Sequence, residues 1–348
     1  MRIIRSSTNF FVNLVLAAWT AYAMLVILLL ILRFTIGERP LIPGFGSPVG
    51  TFNSMLQIAL FPAIPGLLVF LLLRRPRLAA WQIPAVAMLI VLYGGNFVPH
   101  LPVVTAADTD TSHLKLMTYN LLYSNTSYDR VVEVIKAADP DVVALQEFTD
   151  EASAYLSKEF REIYPYQALH PSGAPTLGAT TGAGILSRYP IIEDEITFDI
   201  HNQQRVVLQI DDQTVTLFNV HPPIPFGYGA NAELRSQVLH HILTQAETVS
   251  GRVILAGDFN MGDGSEDYAD VARDYTDSFK VAGYGFGLSF PDWSMHGGVA
   301  QLLPVLARLD YVFYSEGIQA VNAWISSRSG GSDHRPYYVE LALTGTGD

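Results

Sequence analysis

Cysteine is absent from all 348 residues, which excludes a disulfide framework and a thiolate metal site. Positive charge is scarce as well: 21 Lys and Arg stand against 33 Asp and Glu, for a net charge of −12. The shortage is uneven. Residues 1–99 hold seven Lys/Arg and one acid, whereas residues 100–348 hold fourteen and thirty-two. The acidic part lacks the cationic surplus by which proteins displace counterions from long nucleic acid, so non-specific capture of such polymers is disfavoured. An acidic nuclease working through bound metal ions stays open.

Three stretches lack charge altogether. Residues 10–32 form a 23-residue run without a charged side chain, about 35 Å long as a helix and enough to cross a bilayer core. It is too long for the apolar part of a signal peptide, and more apolar segments follow. Residues 56–73, interrupted by Pro62 and Pro65, and residues 78–98 are the second and third, the second expected to kink. Arg2, Arg5, Arg74, Arg75 and Arg77 fall on one side of this arrangement and Arg33 and Arg39 on the other. That bias predicts a cytoplasmic N-terminus and, after three crossings, an extracytoplasmic C-terminal part of a multi-pass cell-membrane protein. Residues 100–113 are polar, rich in Thr and Asp and without period, and read as a linker. The expected division is a membrane domain over 1–99, that linker, and a catalytic domain over 114–348.

From Leu114 the pattern alternates strand and helix, and each strand end carries a polar residue. The strand from Leu114 delivers Asn120. After a helix over 128–138, halted by Pro140, the strand 142–146 delivers Glu147. The strand 214–220 delivers His221, and the strand 252–256 runs through Gly257 into Asp258 and Asn260. Asp310 sits in the next strand, and Asp333 and His334 precede the closing strand 337–343. Carboxylates hold a hard divalent cation, an acid can take a proton from water, and histidines and amides can hold phosphoryl oxygens. Placed together, these residues suit metal-assisted phosphoryl chemistry. His240 and His241 are adjacent on a helix over 230–249 and face different ways, which disfavours a two-histidine metal site. His170 and His296 fall in loops.

The motifs Thr118-Tyr119-Asn120, Leu145-Gln146-Glu147, Asn219-Val220-His221, Gly257-Asp258-Phe259-Asn260, Leu309-Asp310-Tyr311 and Ser332-Asp333-His334-Arg335-Pro336 resemble those of the endonuclease/exonuclease/phosphatase (DNase I-like) superfamily over about residues 114–345. The resemblance implies an α/β fold, a four-layer sandwich of two packed mixed sheets with helices outside. It also implies a metal-dependent phosphoric ester hydrolase using Mg²⁺, or Mn²⁺. Glu147, Asn120 and Asp333 would hold the metal, Asp258 would orient or deprotonate water, and Asn260 would hold water or a phosphoryl oxygen. His334 would contact the phosphate with Asp310 fixing its tautomer, and His221 would be the second histidine. Arg205 falls where some members contact phosphate. The acidic partner that DNase I-like nucleases give their first histidine has no match here.

Fold membership does not choose a substrate. Residues 222–228 and 284–293 are apolar, aromatic loops expected to border the cleft. On a membrane-tethered domain they point to a phosphorylated lipid or lipid-linked pyrophosphate, with the bilayer as partner. The layout of three N-terminal spans before such a domain also resembles bacterial membrane proteins associated with glycopeptide resistance. The alternative is an extracytoplasmic nuclease acting on nucleic acid.

Overall fold

A computed structural model describes residues 2–38, 47–99, 112–172, 182–198, 202–224 and 230–345. Helix α1 (Arg2–Ile36) contains the first charge-free run. It is followed by α2 (Pro48–Ser54), α3 (Leu56–Leu60), α4 (Ala63–Leu72), α5 (Pro76–Ala80) and α6 (Ile83–Tyr93). Among the described residues, two helical stretches, Val12–Ile36 and Pro76–Phe97, are long and apolar enough to cross a membrane. Pro48–Ser54 with Leu56–Leu72 makes a third if that bent pair counts as one span. The expected kink near Pro62 is present as a turn at Phe61 and Pro62, but the sharpest bend, 92°, falls between α2 and α3. Local chemistry explains it. Pro48 opens α2 and the Ser47 hydroxyl caps it by accepting from Gly50 N at 3.0 Å, so α2 starts as its own helix. Polar side chains of α1 serve the Pro-broken region. Trp19 Nε1 donates to Pro62 O at 3.0 Å, which also accepts from Gly66 N, and Tyr22 OH donates to Ala59 O at 2.6 Å, so side chains of α1 supplement the backbone bonding where the ladder is interrupted.

The C-terminal part opens at β1 (Ser112–Asn120), two residues earlier than expected. Most of the expected linker, residues 100–111, lies outside the described residues. One sheet combines β1 with β2 (Val142–Gln146), β3 (Tyr166–His170), β4 (Ala183–Ser187), β11 (Ile318–Ile325) and β12 (Tyr337–Leu343), in the order β11-β12-β1-β2-β4-β3. The other combines β5 (Ile191–Phe198), β6 (Gln203–Ile210), β7 (Gln213–Val220), β8 (Arg252–Asp258), β9 (Thr276–Asp277) and β10 (Asp310–Tyr314), in the order β5-β6-β7-β8-β10-β9. Each is mixed: β1–β2 and β7–β8 are parallel pairs among antiparallel neighbours. Aliphatic side chains from both inner faces, among them Leu116, Ile185, Val206, Leu217, Ile254 and Val339, fill the space between the sheets. The outer faces are covered by helices. α7 (Tyr128–Ala138) and α8 (Asp150–Glu159) use Val131, Ile135 and Leu156 on the first sheet. α9 (Ala230–Glu247) and α10 (Glu266–Asp274) use Val238, Ile242 and Val271 on the second. These layers form the expected four-layer α/β sandwich.

This topology decides where the polar strand ends meet. In each sheet the central parallel pair finishes at one edge, which puts Asn120 beside Gln146 and Val220 beside Gly257. β10 runs antiparallel to β8, so its first residue, Asp310, lies opposite Asp258. β12 runs antiparallel to β1 with Tyr337 opposite Thr118, so the segment before it arrives at the same edge.

The apolar helices dock on that edge. Tyr93 OH donates to Asp263 Oδ1 at 2.7 Å, and Arg33 Nη1 donates to Gly264 O at 2.8 Å and to Asn53 Oδ1 at 2.5 Å. Gly285 N donates to Asn96 O at 2.8 Å, and the Phe286 ring packs edge-on against Tyr93 and Phe97 at 5.5 and 5.0 Å.

Candidate active site

Asn120, at the end of β1, links the two sheets. Its Nδ2 donates to Glu147 Oε1 at 3.0 Å and to Asp258 Oδ2 at 3.0 Å, while its Oδ1 accepts from Leu122 N at 3.0 Å. Glu147 Oε2 accepts from Tyr123 N at 2.8 Å. Asp258 Oδ1 accepts from Asn260 N at 2.9 Å, which leaves Oδ2 toward the cleft. Glu147 and Asn260 both have left-handed backbones, with φ of 52° and 49°. That conformation is costly for non-glycine residues and persists where surrounding contacts impose it. Gly257 has no alternative: a Cβ there would lie 1.9 Å from Val220 O on the neighbouring strand.

The two histidines are shifted in opposite directions. His334 Nδ1 is 2.9 Å from Asp310 Oδ2, which fixes Nδ1 as the donor, and its Nε2 lies 3.5 Å from Asp258 Oδ2. Burial alone would lower its pKa, but Asp310 and Asp258 outweigh burial and push it to about 10. The Phe290 ring packs on it at 4.7 Å. Ser332 Oγ donates to Asn120 O at 2.7 Å and accepts from His334 N at 3.0 Å, tying the β12 approach to β1. His221 is held through its backbone, its N–H donating to Gln203 Oε1 at 2.8 Å. Its Nε2 lies 3.8 Å from Asp258 Oδ2 and 4.0 Å from Glu147 Oε1. Burial lowers its pKa despite Asp258, so its neutral form is favoured. In place of a dedicated acidic partner, His221 faces two carboxylates that it shares with the rest of the cluster.

Glu147 and Asp333 are both raised in pKa, first by burial and also by neighbouring acids. Two desolvated carboxylates near Asp258 are an unfavourable arrangement that a divalent cation would relieve, and both offer hard oxygen ligands. Asn120 points its Nδ2 at Glu147 and Asp258 and its Oδ1 at Leu122 N, so in this arrangement it positions the carboxylates and does not present its oxygen to a cation. The carboxylates fit the metal that the motifs imply. Among the described residues, a tighter trio exists in Asp258, Asp310 and His334, whose ligand atoms lie within 4.8 Å of one another. Two of its members are already joined by the Asp310–His334 hydrogen bond, and His334 Nε2 lies 3.5 Å from Asp258 Oδ2.

Arg205 is not brought to this cluster. Its guanidinium donates to Glu193 Oε2 at 2.8 Å and lies 3.6 Å from Glu195 Oε2, both on β5. The register pairs Arg205 with Glu195 across the edge hairpin, which gives the guanidinium its counter-charge there. His170 meets Asp194 at 2.8 Å, and His241 Nε2 meets Thr197 O at 2.9 Å. Of the two aromatic loops, residues 225–228 lie outside the described residues. The other divides its contacts: Tyr284 and Phe286 pack on Phe97, while Phe290 packs on His334.

Beneath the cleft runs a polar seam that sequence reasoning named only as motif. Gln146 Nε2 donates to Thr118 Oγ1 at 2.9 Å and to Asn219 Oδ1 at 2.7 Å, and Asn219 Nδ2 donates to Leu145 O at 2.9 Å. The seam joins the sheets directly under Glu147 and His221. Ser332 is a second supporting residue without an assigned part, although its place in the Ser-Asp-His run was visible.

The family model described as Endonuclease/Exonuclease/phosphatase family matches residues 117–334. Among solved structures, the endonuclease/exonuclease/phosphatase from Bacteroides vulgatus superposes with a TM-score of 0.54 at 18% identity, covering 67% of this chain and 99% of that one. A functionally unknown conserved protein from Enterococcus faecalis gives 0.52 at 21% identity, covering 66% and 100%. D. rerio TDP2 complexed with single strand DNA product gives 0.52 at 19%, covering 66% and 99%. No curated protein matches the chain by sequence. These structures share its fold, and the family model spans well over half of its length. The chain therefore belongs to the endonuclease/exonuclease/phosphatase family, whose members are metal-dependent phosphoester hydrolases.

Proposed function

We propose that this chain is a membrane-anchored, Mg²⁺-dependent phosphoesterase or pyrophosphatase that hydrolyses a phosphorylated lipid or lipid-linked substrate on the outer side of the membrane. One observation carries the reading. The segment that bears Asp258 and Asn260 continues into the turn at Asp263 and Gly264, and that turn is held by Tyr93 and Arg33 at the ends of the apolar helices. A cleft fastened to helix ends in this way lies close to a headgroup layer.

The chemistry follows from charge and placement. Glu147 and Asp333 would hold the cation, with Asn120 orienting Glu147 through its Nδ2; when bound, the cation neutralises charge developing on the phosphoryl group. Asp258, anchored by Asn120 and by its own loop, orients a water through Oδ2 and accepts its proton. His334, kept protonated by Asp310, donates from Nε2 to a phosphoryl oxygen. His221, favoured in its neutral form, lines the same cleft and can accept or donate one hydrogen bond. Asn260 donates one amide hydrogen to Pro222 O at 3.0 Å, so its orientation is fixed while the other polar positions stay open to substrate.

Sidedness rests on the basic residues of the sequence and is tested by a reporter fused after Asp348. Activity of the reporter only outside the cytoplasm is the expected result. Activity only inside would overturn the outward-facing assignment and the envelope substrate with it. Cleavage of plasmid DNA by the full chain, faster than hydrolysis of any lipid phosphate, would favour a nuclease instead.

A further inference from the structure

The chain from Trp293 to Ala307 contains no Asp, Glu, Lys or Arg in a domain otherwise rich in acids. Its base is a short antiparallel pairing in which Phe290 and Ala307 exchange backbone hydrogen bonds, at 3.0 and 2.7 Å. That base is positioned on both sides. Phe290 packs on His334, and Leu306 and Ala307 line one crevice with Met55, Leu56 and Gln57 at the bend of the apolar helices. Trp293 Nε1 donates to Pro304 O at 3.2 Å, closing the neck. Beyond it the tip turns through two short 3₁₀ helices, Trp293–His296 and Gly298–Leu302. Its large apolar side chains face outward: Leu302 is 83% exposed, Val299 80% and Leu303 51%. Such a cluster on a water-soluble surface is unfavourable and marks a contact.

We propose that residues 293–304 form a rim that inserts into the bilayer interface beside the cleft and draws lipid toward His334. The occupant is the membrane because the base of the rim abuts the bend of the apolar helices, and because a tip of Leu and Val without charge suits acyl chains and not a polar partner. This deepens the proposed function and rests on its membrane-anchored reading.

The absence of cysteine allows one label at one place. In the full chain reconstituted into phosphatidylcholine–phosphatidylglycerol vesicles, an environment-sensitive fluorophore on Leu302→Cys should be quenched by lipids carrying a nitroxide near the headgroup. The same label on Glu316→Cys, exposed in the turn after β10, should not. Lack of quenching at position 302 would overturn the proposal. So would protection that appears only as protein density rises, since the surface would then join two copies of the chain. In a second arm, Leu302→Asp combined with Leu303→Asp should raise the apparent KM for vesicle-embedded substrate roughly tenfold. Turnover of water-soluble bis(p-nitrophenyl) phosphate should be unchanged; equal losses on both substrates would contradict a capture role. The quenching arm reads membrane contact even if the wild-type chain hydrolyses no lipid, so failure of the rim and failure of the lipid reading are distinguishable.

Discussion

The proposed mechanism gives two carboxylates in the cleft different work, and their surroundings support the division. Asp258 is held by an amide and a backbone N–H on one loop, the setting of a group that must aim at water. Glu147, desolvated and raised in pKa, is a group whose ionised form a cation would stabilise. Asp258→Asn should therefore keep metal binding and lose on the order of 10²–10⁴ in kcat, the range for removal of a general base. Glu147→Gln should weaken metal binding, so that raising Mg²⁺ recovers part of its activity. Titrating Mg²⁺ in both variants separates them; rescue of the first and not the second would exchange the roles. The buried pair of Arg308 and Asp277 makes a purely structural counterpart. Asp277 also caps the helix Ser278–Ala282 by accepting from Phe279 N at 3.0 Å. Asp277→Ala leaves a buried guanidinium without its acid and should cost about 3–5 kcal/mol, read as a fall in the denaturation midpoint at unchanged m-value. An unchanged midpoint would contradict a stabilising pair.

At the scale of elements, the residues visible in the sequence were those at strand boundaries. Asn120, Glu147, His221, Asp258, Asp310 and His334 each lie at or just beside the end of a strand whose alternation or apolar run fixes its edge, and the parallel pairs β1–β2 and β7–β8, with β10 and β12 antiparallel beside them, bring those edges together. Partners that meet across the sandwich left no comparable trace. Gln146 and Asn219 are 73 residues apart, and neither pattern nor spacing indicates that they touch. Arg205 misled for the same reason: its position in a strand was readable, but Glu193 and Glu195 on the adjoining strand could be assigned to it only once the register was known. The bend between α2 and α3 was likewise hidden, since the prolines at 62 and 65 drew attention further along. Gly262 shows what that bend accommodates. A Cβ on Gly262 would lie 2.3 Å from Ser54 O, a clash with backbone that no side-chain rotation removes. Gly262→Val should loosen the seat of the helices on the catalytic loop, lowering kcat and making the 261–266 turn more open to protease in the membrane-embedded chain. Wild-type kcat and protease resistance would show that this close approach has no part in positioning Asn260.

The whole molecule is a phosphoesterase sandwich whose catalytic edge is also its docking edge. Helices long and apolar enough to cross a membrane end at Arg33, Tyr93 and Phe97, and each of these residues touches a loop that leads to the site. On the proposed reading, a membrane at those helix ends would bring substrate to the acidic domain without requiring a basic surface. The proposed metal-assisted hydrolysis of a membrane-borne phosphate at this cleft can be measured by reconstituting the full chain in vesicles and following phosphate release from embedded phospholipid and polyprenyl pyrophosphate, beside inositol phosphate and plasmid DNA. Mg²⁺-dependent release from a lipid substrate, abolished by EDTA and removed by Asp258→Asn, with little cleavage of DNA, is the expected result. Lipid hydrolysis that persists in EDTA or in Asp258→Asn, or DNA cleavage that exceeds it, would rule this mechanism out.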